Sequence, residues 1–167
     1  RDASLMTHEA DGPWYYQQVD LGYNYRMTEM QAALGYSQMD RLDEFVARRR
    51  YLVNRYNELL QNMDVVTPYV LPEANPSWHL YMIRVDFTKL SIDKVKLFAE
   101  MKKRGVMLNL HYIPVHTQPY YQKLGFKQGD FPNSEKYYAE IFTLPLYYDL
   151  TEEQQDEIVA ALREVLK

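Results

Sequence analysis

Two short stretches of this chain carry residue types able to do chemistry. The first is "LGYNYRMTEMQAALG" at 21–35, where Asn24 and Arg26 stand just ahead of a helix entry. Unpaired amides and the positive end of the helix dipole favour an anion at such a place. A side-chain amide and a guanidinium add donors suited to phosphate. A local reading stands beside this one: Asn24 shapes an Asx turn, and Arg26 pairs with Glu29 or Glu9. The second stretch is "HYIPVH" at 111–116, which offers His111, His116, the Tyr112 phenol and a rigid Pro114 after a short apolar run. Loops at strand ends are common ligand sites, although simple surface packing of Tyr112 and Ile113 also accounts for this one.

Other chemistries find little support. His111 and His116 are separated by Pro114 and cannot share a helix face, and zinc needs three or four ligands in fixed geometry. With no cysteine and no H-E-x-x-H pattern, no metal site is expected. His79 reads as a structural histidine within a strand. Lys89, Lys94 and Lys123 stand in helix, strand-end or loop contexts. Glycine totals only 6, and no nucleotide-binding glycine loop, serine elbow or kinase motif occurs. The residues by themselves therefore assign no catalytic group.

The elements that would position these stretches follow from periodicity. Residues 1–27 hold no sustained period, break at Gly12-Pro13 and read as an ordered loop anchored by Trp14, Tyr15 and Tyr16. Thr28-Glu29-Met30-Gln31 is a capping box. Apolar residues then recur at three- and four-residue steps from Met30 through Leu34, Leu42, Phe45, Val53, Tyr56 and Leu60 to Met63. The pattern predicts one helix over 28–62, a rod of about 50 Å at about 1.5 Å per residue, long enough to join two modules. Arg48-Arg49-Arg50 lies on it near Asp40, Asp43 and Glu44 and reads as a solvated, charge-paired face. Beyond the prolines at 68, 72 and 76, "WHLYMIRVDF" is a strand with Tyr81, Ile83, Val85 and Phe87 on one side. Ser91 is expected to cap a helix of about 13 residues ending before Gly105. A short strand is expected at 106–110, a short helix in "NSEKYYAEI", an extended segment in "FTLPLYY", and a last helix opened by the capping box Thr151-Glu152-Glu153-Gln154. Residues 63–167 thus form a small α+β domain, a sheet of about three strands covered by helices on one face.

Composition bounds the function. With 47% hydrophobic and 25% charged residues, the chain of 167 can bury a core. A net charge of −4 argues against a nucleic-acid or anionic-membrane partner. No apolar run approaches the roughly 18 residues of a membrane span. The absence of cysteine suits a cytoplasmic setting, and the polar, acidic start "RDASLMTHEADGPW" reads as mid-protein sequence rather than a signal peptide. Tyrosine is abundant at 16, which suits core edges and interfaces or an aromatic-walled cleft.

The 21–35 stretch, continued by "MDRLDEFVARRRYLVNRYNELL", resembles the interdomain-helix region of the DegT/DnrJ/EryC1/StrS family of pyridoxal-phosphate-dependent nucleotide-sugar aminotransferases. "HLYMIRVD", "HYIPVHTQPYYQKLGF" and "FTLPLYYDLTEEQQDEIVAAL" resemble the family's C-terminal domain in the right order. The resemblance implies the C-terminal part of the aspartate-aminotransferase (type I) fold, with 1–27 a remnant of the large cofactor domain, 28–62 the interdomain helix and 63–167 the small domain. It implies a homodimer in which Asn24 reaches the cofactor phosphate of the neighbouring subunit. Arg26 would lie near the substrate diphosphate, and His111, Tyr112 and His116 would line the sugar pocket. The parent would transfer an amino group, from glutamate, to a keto-sugar nucleotide in amino-sugar or polysaccharide biosynthesis. Family members are more than twice this long, and their Schiff-base lysine lies in the first half. The chain alone is therefore expected to be inactive and not to bind pyridoxal phosphate covalently. The alternative is a non-catalytic interaction module, a long helix presenting an apolar stripe with the α+β unit behind it.

Overall fold

The computed structural model describes Ser4, Tyr23 and residues 25–167. Asn24 and the aromatic run at 14–16 lie outside the described residues. The chain divides into two units, Arg1–Asp40 and Arg41–Lys167.

In the first unit, helix α1 spans Glu29–Met39 and opens with the expected capping box. Thr28 Oγ1 accepts from the Gln31 amide at 3.3 Å, and the Gln31 side-chain oxygen accepts from the Thr28 amide at 3.0 Å. None of its residues is buried. Met30 is 82% exposed and Leu34 65%.

The single helix expected over 28–62 is two helices. A turn at Asp40–Arg41 separates α1 from α2, Leu42–Leu60. Arg41 leaves helical geometry at φ −110°, ψ 5°. Its guanidinium binds Glu44 at 3.3 Å and lies 4.6 Å from the Phe45 ring centre. Asp43 and Glu44 then occupy the first turn of α2, where the helix dipole favours them. A fresh helix start satisfies these groups, and aspartate is a weak helix former at the junction.

In the second unit, strand β1 (Tyr81–Arg84) pairs antiparallel with β2 (Ile141–Leu144) in the register Tyr81↔Leu144, Met82↔Thr143, Ile83↔Phe142, Arg84↔Ile141. The run expected as a third strand at 106–110 contributes one bridge, Asn109 to Thr143, and Val66 bridges Arg84 on the opposite edge. Asn109 turns its own side-chain oxygen to the Leu110 amide at 2.8 Å, which ends the pairing there. The alternation on β1 is as read, with Tyr81, Ile83 and Val85 buried. All four residues of β2 are buried, so the sheet is not covered on one face alone.

The core lies between this sheet and helices α2, α3 (Lys94–Lys103) and α6 (Glu152–Val165), with Leu52, Tyr56, Ile83, Leu97, Phe142 and Leu162 at its centre. The N-cap of α3 is Asp93, not Ser91. The Asp93 carboxylate accepts from the Lys96 amide at 2.7 Å, and a Schellman closure ends the helix at Gly105, φ 77°. Two tyrosines stack at the centre, Tyr56 on Tyr81 at 5.0 Å. Their hydroxyls donate to Pro145 O (2.9 Å) and Asn57 Oδ1 (2.6 Å). Burial pushes both phenol pKa values up.

Arg48, Arg49 and Arg50 depart from the expected solvated face. All three are partly buried and donate to backbone carbonyls. Arg48 binds Leu150 O at 2.7 Å. Arg49 Nη1 meets Trp78 O, His79 O and Leu146 O at 3.1, 3.3 and 3.2 Å. Arg50 Nε binds Pro76 O at 3.2 Å. Loop carbonyls next to a core need donors, and a guanidinium serves several at once. Replacing Arg49 with Ala should therefore destabilise the chain by about 2–4 kcal/mol, since it leaves a group of carbonyls short of a charged donor. Urea unfolding of R49A and R49K will show it, with the lysine variant recovering part of the loss. Equal midpoints for wild type and R49A would contradict the clamp.

Candidate functional site

The histidine loop begins where the sheet edge ends. Asn109 and Thr143 exchange backbone hydrogen bonds at 3.2 and 2.8 Å, which sets the position of His111 two residues on. The His111 Nδ1 lies 2.8 Å from the Thr143 hydroxyl. The Tyr112 ring stands edge-on to the imidazole at 4.8 Å and is itself exposed.

His116 sits in a different environment. It is buried on a short 3-10 turn, Val115–Thr117, and its Nε2 lies 2.8 Å from Glu135 Oε1. Glu135 is in the first turn of helix α5, Pro132–Glu140, which follows the one-turn helix α4, Pro119–Gln122. The same Glu135 oxygen accepts from the Gly129 amide at 2.6 Å. His116 and Gly129 together hold the Glu135 carboxyl below its ordinary value of 4.5. The Phe131 ring packs on His116 at 4.8 Å. Val115, His116, Tyr121, Phe126, Phe131 and Ser134 line a recess of about 380 Å³ beside this pair.

Of the residues singled out in the sequence, His111 and Tyr112 meet at the sheet edge, and His116 anchors the far side of the same loop. Arg26 is exposed in the first unit, and Asn24 lies outside the described residues. Thr143 and Glu135 are not singled out by the sequence. A lone threonine inside the apolar run "IFTLPL" was the available signal for Thr143, because a buried hydroxyl needs a partner. An acid in the first turn of a proline-started helix was the signal for Glu135.

A family model, that of the DegT/DnrJ/EryC1/StrS aminotransferase family, matches residues 4–163. The chain belongs to this family. It is 36% identical over 168 residues to the spore coat polysaccharide biosynthesis protein SpsC of Bacillus subtilis, matching 99% of this chain and 43% of that protein. It is 33% identical to the uncharacterized protein MJ1066 of Methanocaldococcus jannaschii, with the same coverage. The chain thus spans about two fifths of the curated relatives it matches. Among solved structures it is similar to the putative sugar aminotransferase Spr1654 of Streptococcus pneumoniae in its PMP form, at 29% identity and TM-score 0.82 over 99% of this chain and 41% of that one. It is also similar to DesV of S. venezuelae, at 26% identity and TM-score 0.82 over 98% and 43%. The fold is an aminotransferase fold, and Spr1654 has been solved in both PMP and PLP forms. No helix among the described residues is long and apolar enough to cross a membrane.

Lys89, Lys94 and Lys103 are each engaged with a neighbouring group. Lys94 is partly desolvated, which lowers its pKa from 10.5, but its ammonium donates to Tyr138 O and lies 4.2 Å from the Tyr138 ring centre. Lys89 and Lys103 pair with Asp86 and Glu100 at 3.4 and 2.7 Å on the surface. An imine-forming lysine needs a free approach to a carbonyl, and the ammonium groups of these three are occupied by the contacts named.

The Glu135 pairing has a defined pH signature. Its folded pKa is depressed, so its stabilising contribution is complete above the unfolded value and is lost as pH falls through the lowered folded value. The Gly129 amide proton shift should therefore titrate with a midpoint below 4.5 and stop titrating there in Glu135→Gln. Two-dimensional NMR across acid pH measures this, and a Gly129 shift that does not move in the unmodified chain would contradict the pairing.

Proposed function

We propose that this chain is the C-terminal part of a pyridoxal-phosphate-dependent nucleotide-sugar aminotransferase of the cytoplasm, which moves an amino group from glutamate to a keto-sugar nucleotide. The observation that carries the proposal is the His111–Tyr112 pair at a sheet edge, the imidazole half-buried and the phenol exposed, in a chain of this family. When bound, the cofactor supplies the electron sink for amino transfer. No step of that chemistry is assigned to the residues described here. Their part is to bind and orient. Asn24 anchors the cofactor phosphate of a neighbouring subunit, Arg26 faces the substrate diphosphate, and the 111–116 loop forms one wall of the sugar pocket. His116 contributes by holding the loop's shape.

The exposed apolar residues of α1, Met30 and Leu34 among them, support an arrangement in which another part of the enzyme or a second subunit covers this helix. The same feature favours the alternative of a non-catalytic interaction module. The two part on reconstitution. Mixed with a separate polypeptide carrying a family cofactor domain, the chain should restore pyridoxal-phosphate absorbance and turnover of a keto-sugar nucleotide with glutamate. Binding without either signal would favour the interaction module.

Two expected outcomes test the reading at residue level. The chain alone, treated with pyridoxal phosphate and borohydride, should show no stoichiometric labelling of any one lysine by mass spectrometry. In the reconstituted or full-length enzyme, Asn24→Ala should remove one charge-assisted bond and weaken cofactor affinity about ten- to a hundredfold, with little change in the melting of the chain itself. Cofactor titration of N24A measures the first, and thermal denaturation the second. Unchanged affinity together with lost stability would assign Asn24 to a local turn instead.

A further inference from the structure

Thr143 is a buried polar residue, 5% exposed, in a strand whose other residues are Ile141, Phe142 and Leu144. Phe142 and Leu144 pair with Ile83 and Tyr81 on the core face, so Thr143, opposite Met82, points to the other face. There its hydroxyl meets one partner, His111 Nδ1, at 2.8 Å. Among the described residues the hydroxyl makes no other hydrogen bond, and His111 Nε2 makes none.

A buried hydroxyl with a single neighbour gives its proton to that neighbour when the neighbour can accept. A neutral imidazole can accept at Nδ1 only if its proton is on Nε2. The geometry points to Thr143 as a positioning residue that locks neutral His111 in the Nε2–H tautomer and holds its ring plane. His111 then presents one fixed N–H donor at the mouth of the loop. A donor of that kind selects an acceptor oxygen, such as a sugar carbonyl, hydroxyl or phosphate oxygen. This last step rests on the aminotransferase reading above, whereas the tautomer lock does not.

The backbone supports the same assignment. The paired bonds between Asn109 and Thr143 tie the residue carrying the hydroxyl to the segment carrying the histidine. The Asn109 side chain closes on the Leu110 amide and fixes the exit of that segment. Both partners are therefore placed by main-chain contacts, and the hydroxyl has only to set the ring. This is how supporting groups orient ligand-facing histidines in general.

The test is nitrogen-detected NMR of the histidine rings in the intact chain, at a pH where His111 is neutral. The unmodified chain should show His111 as a single Nε2–H form. Thr143→Val, which keeps the shape and removes the hydroxyl, should give an averaged mixture of tautomers, and Thr143→Ser should restore the single form. His116, held by Glu135, should be unaltered in both variants, which separates loss of one hydrogen bond from general loosening. A tautomer mixture or an Nδ1–H form in the unmodified chain overturns the proposal without recourse to any variant. An unchanged single form in Thr143→Val overturns it as well. In the reconstituted enzyme, Thr143→Val should raise the KM for the sugar nucleotide roughly five- to tenfold, and Thr143→Ser should recover it. An unchanged KM alongside a mixed tautomer overturns the positioning role. If His111→Ala itself leaves KM unchanged, the sugar-pocket reading fails while the tautomer result stands.

Discussion

The second unit is organised around Arg49. Its guanidinium gathers the carbonyls of Trp78 and His79, just before β1, and of Leu146, just after β2. These points flank the Tyr81↔Leu144 end of the sheet. Two strands of four residues are too short to hold a register by themselves. The clamp pins one end from the helix side, and the stacked Tyr56 and Tyr81 fill the space beneath it. A slip of one residue would send Phe142 and Leu144 outward and turn Thr143 into the core. That slip would cost the burial of two large apolar side chains, each about 1.5–3 kcal/mol, and would strand a hydroxyl. The placement of His111 thus depends on a guanidinium in the middle of α2.

From that fixed edge the loop reaches outward between two anchors. Thr143 holds its start through His111, and Glu135 holds its middle through His116 and Gly129. The segment between them is rich in exposed aromatic residues, among them Tyr112, Tyr120 and Phe126. Exposed rings on an anchored loop make a surface of defined shape at little conformational cost, because the entropy of ordering has been met by the anchors.

How far this could be read from the sequence depended on whether the determining contact was local. The capping boxes at Thr28 and Thr151 lie within one helical turn and were legible. So was the alternation of β1, set by one strand's own pattern. The break at Asp40–Arg41 was not, because the apolar stripe runs through it unchanged. What interrupts the helix is the fit of Arg41 to Glu44 and Phe45 and to Tyr148, more than a hundred residues away. The arginine triplet was misread for the same reason. Acids nearby in sequence suggested ion pairs, but the partners are the carbonyls of Asn75, Pro76, Trp78, His79, Leu146 and Leu150. At the site, the residue types of the 111–116 loop were visible, while their separation into a half-buried His111 and a buried His116 required knowing where Thr143 and Glu135 fall.

The two histidines show what that separation means for function. They stand five residues apart, and each has one ring nitrogen engaged. His116 is bound to a carboxylate whose second contact is a backbone amide, inside a wall of aromatic rings, so its bond strengthens the loop. His111 is bound to a neutral hydroxyl, which orients the ring without adding a charge beside it. A ligand carrying phosphate would be repelled by a carboxylate at that position and is not repelled by a threonine. The hydroxyl behind His111 and the carboxylate behind His116 therefore divide the loop electrostatically. The carboxylate is thereby kept beside His116 and the Gly129 amide, where it serves the fold.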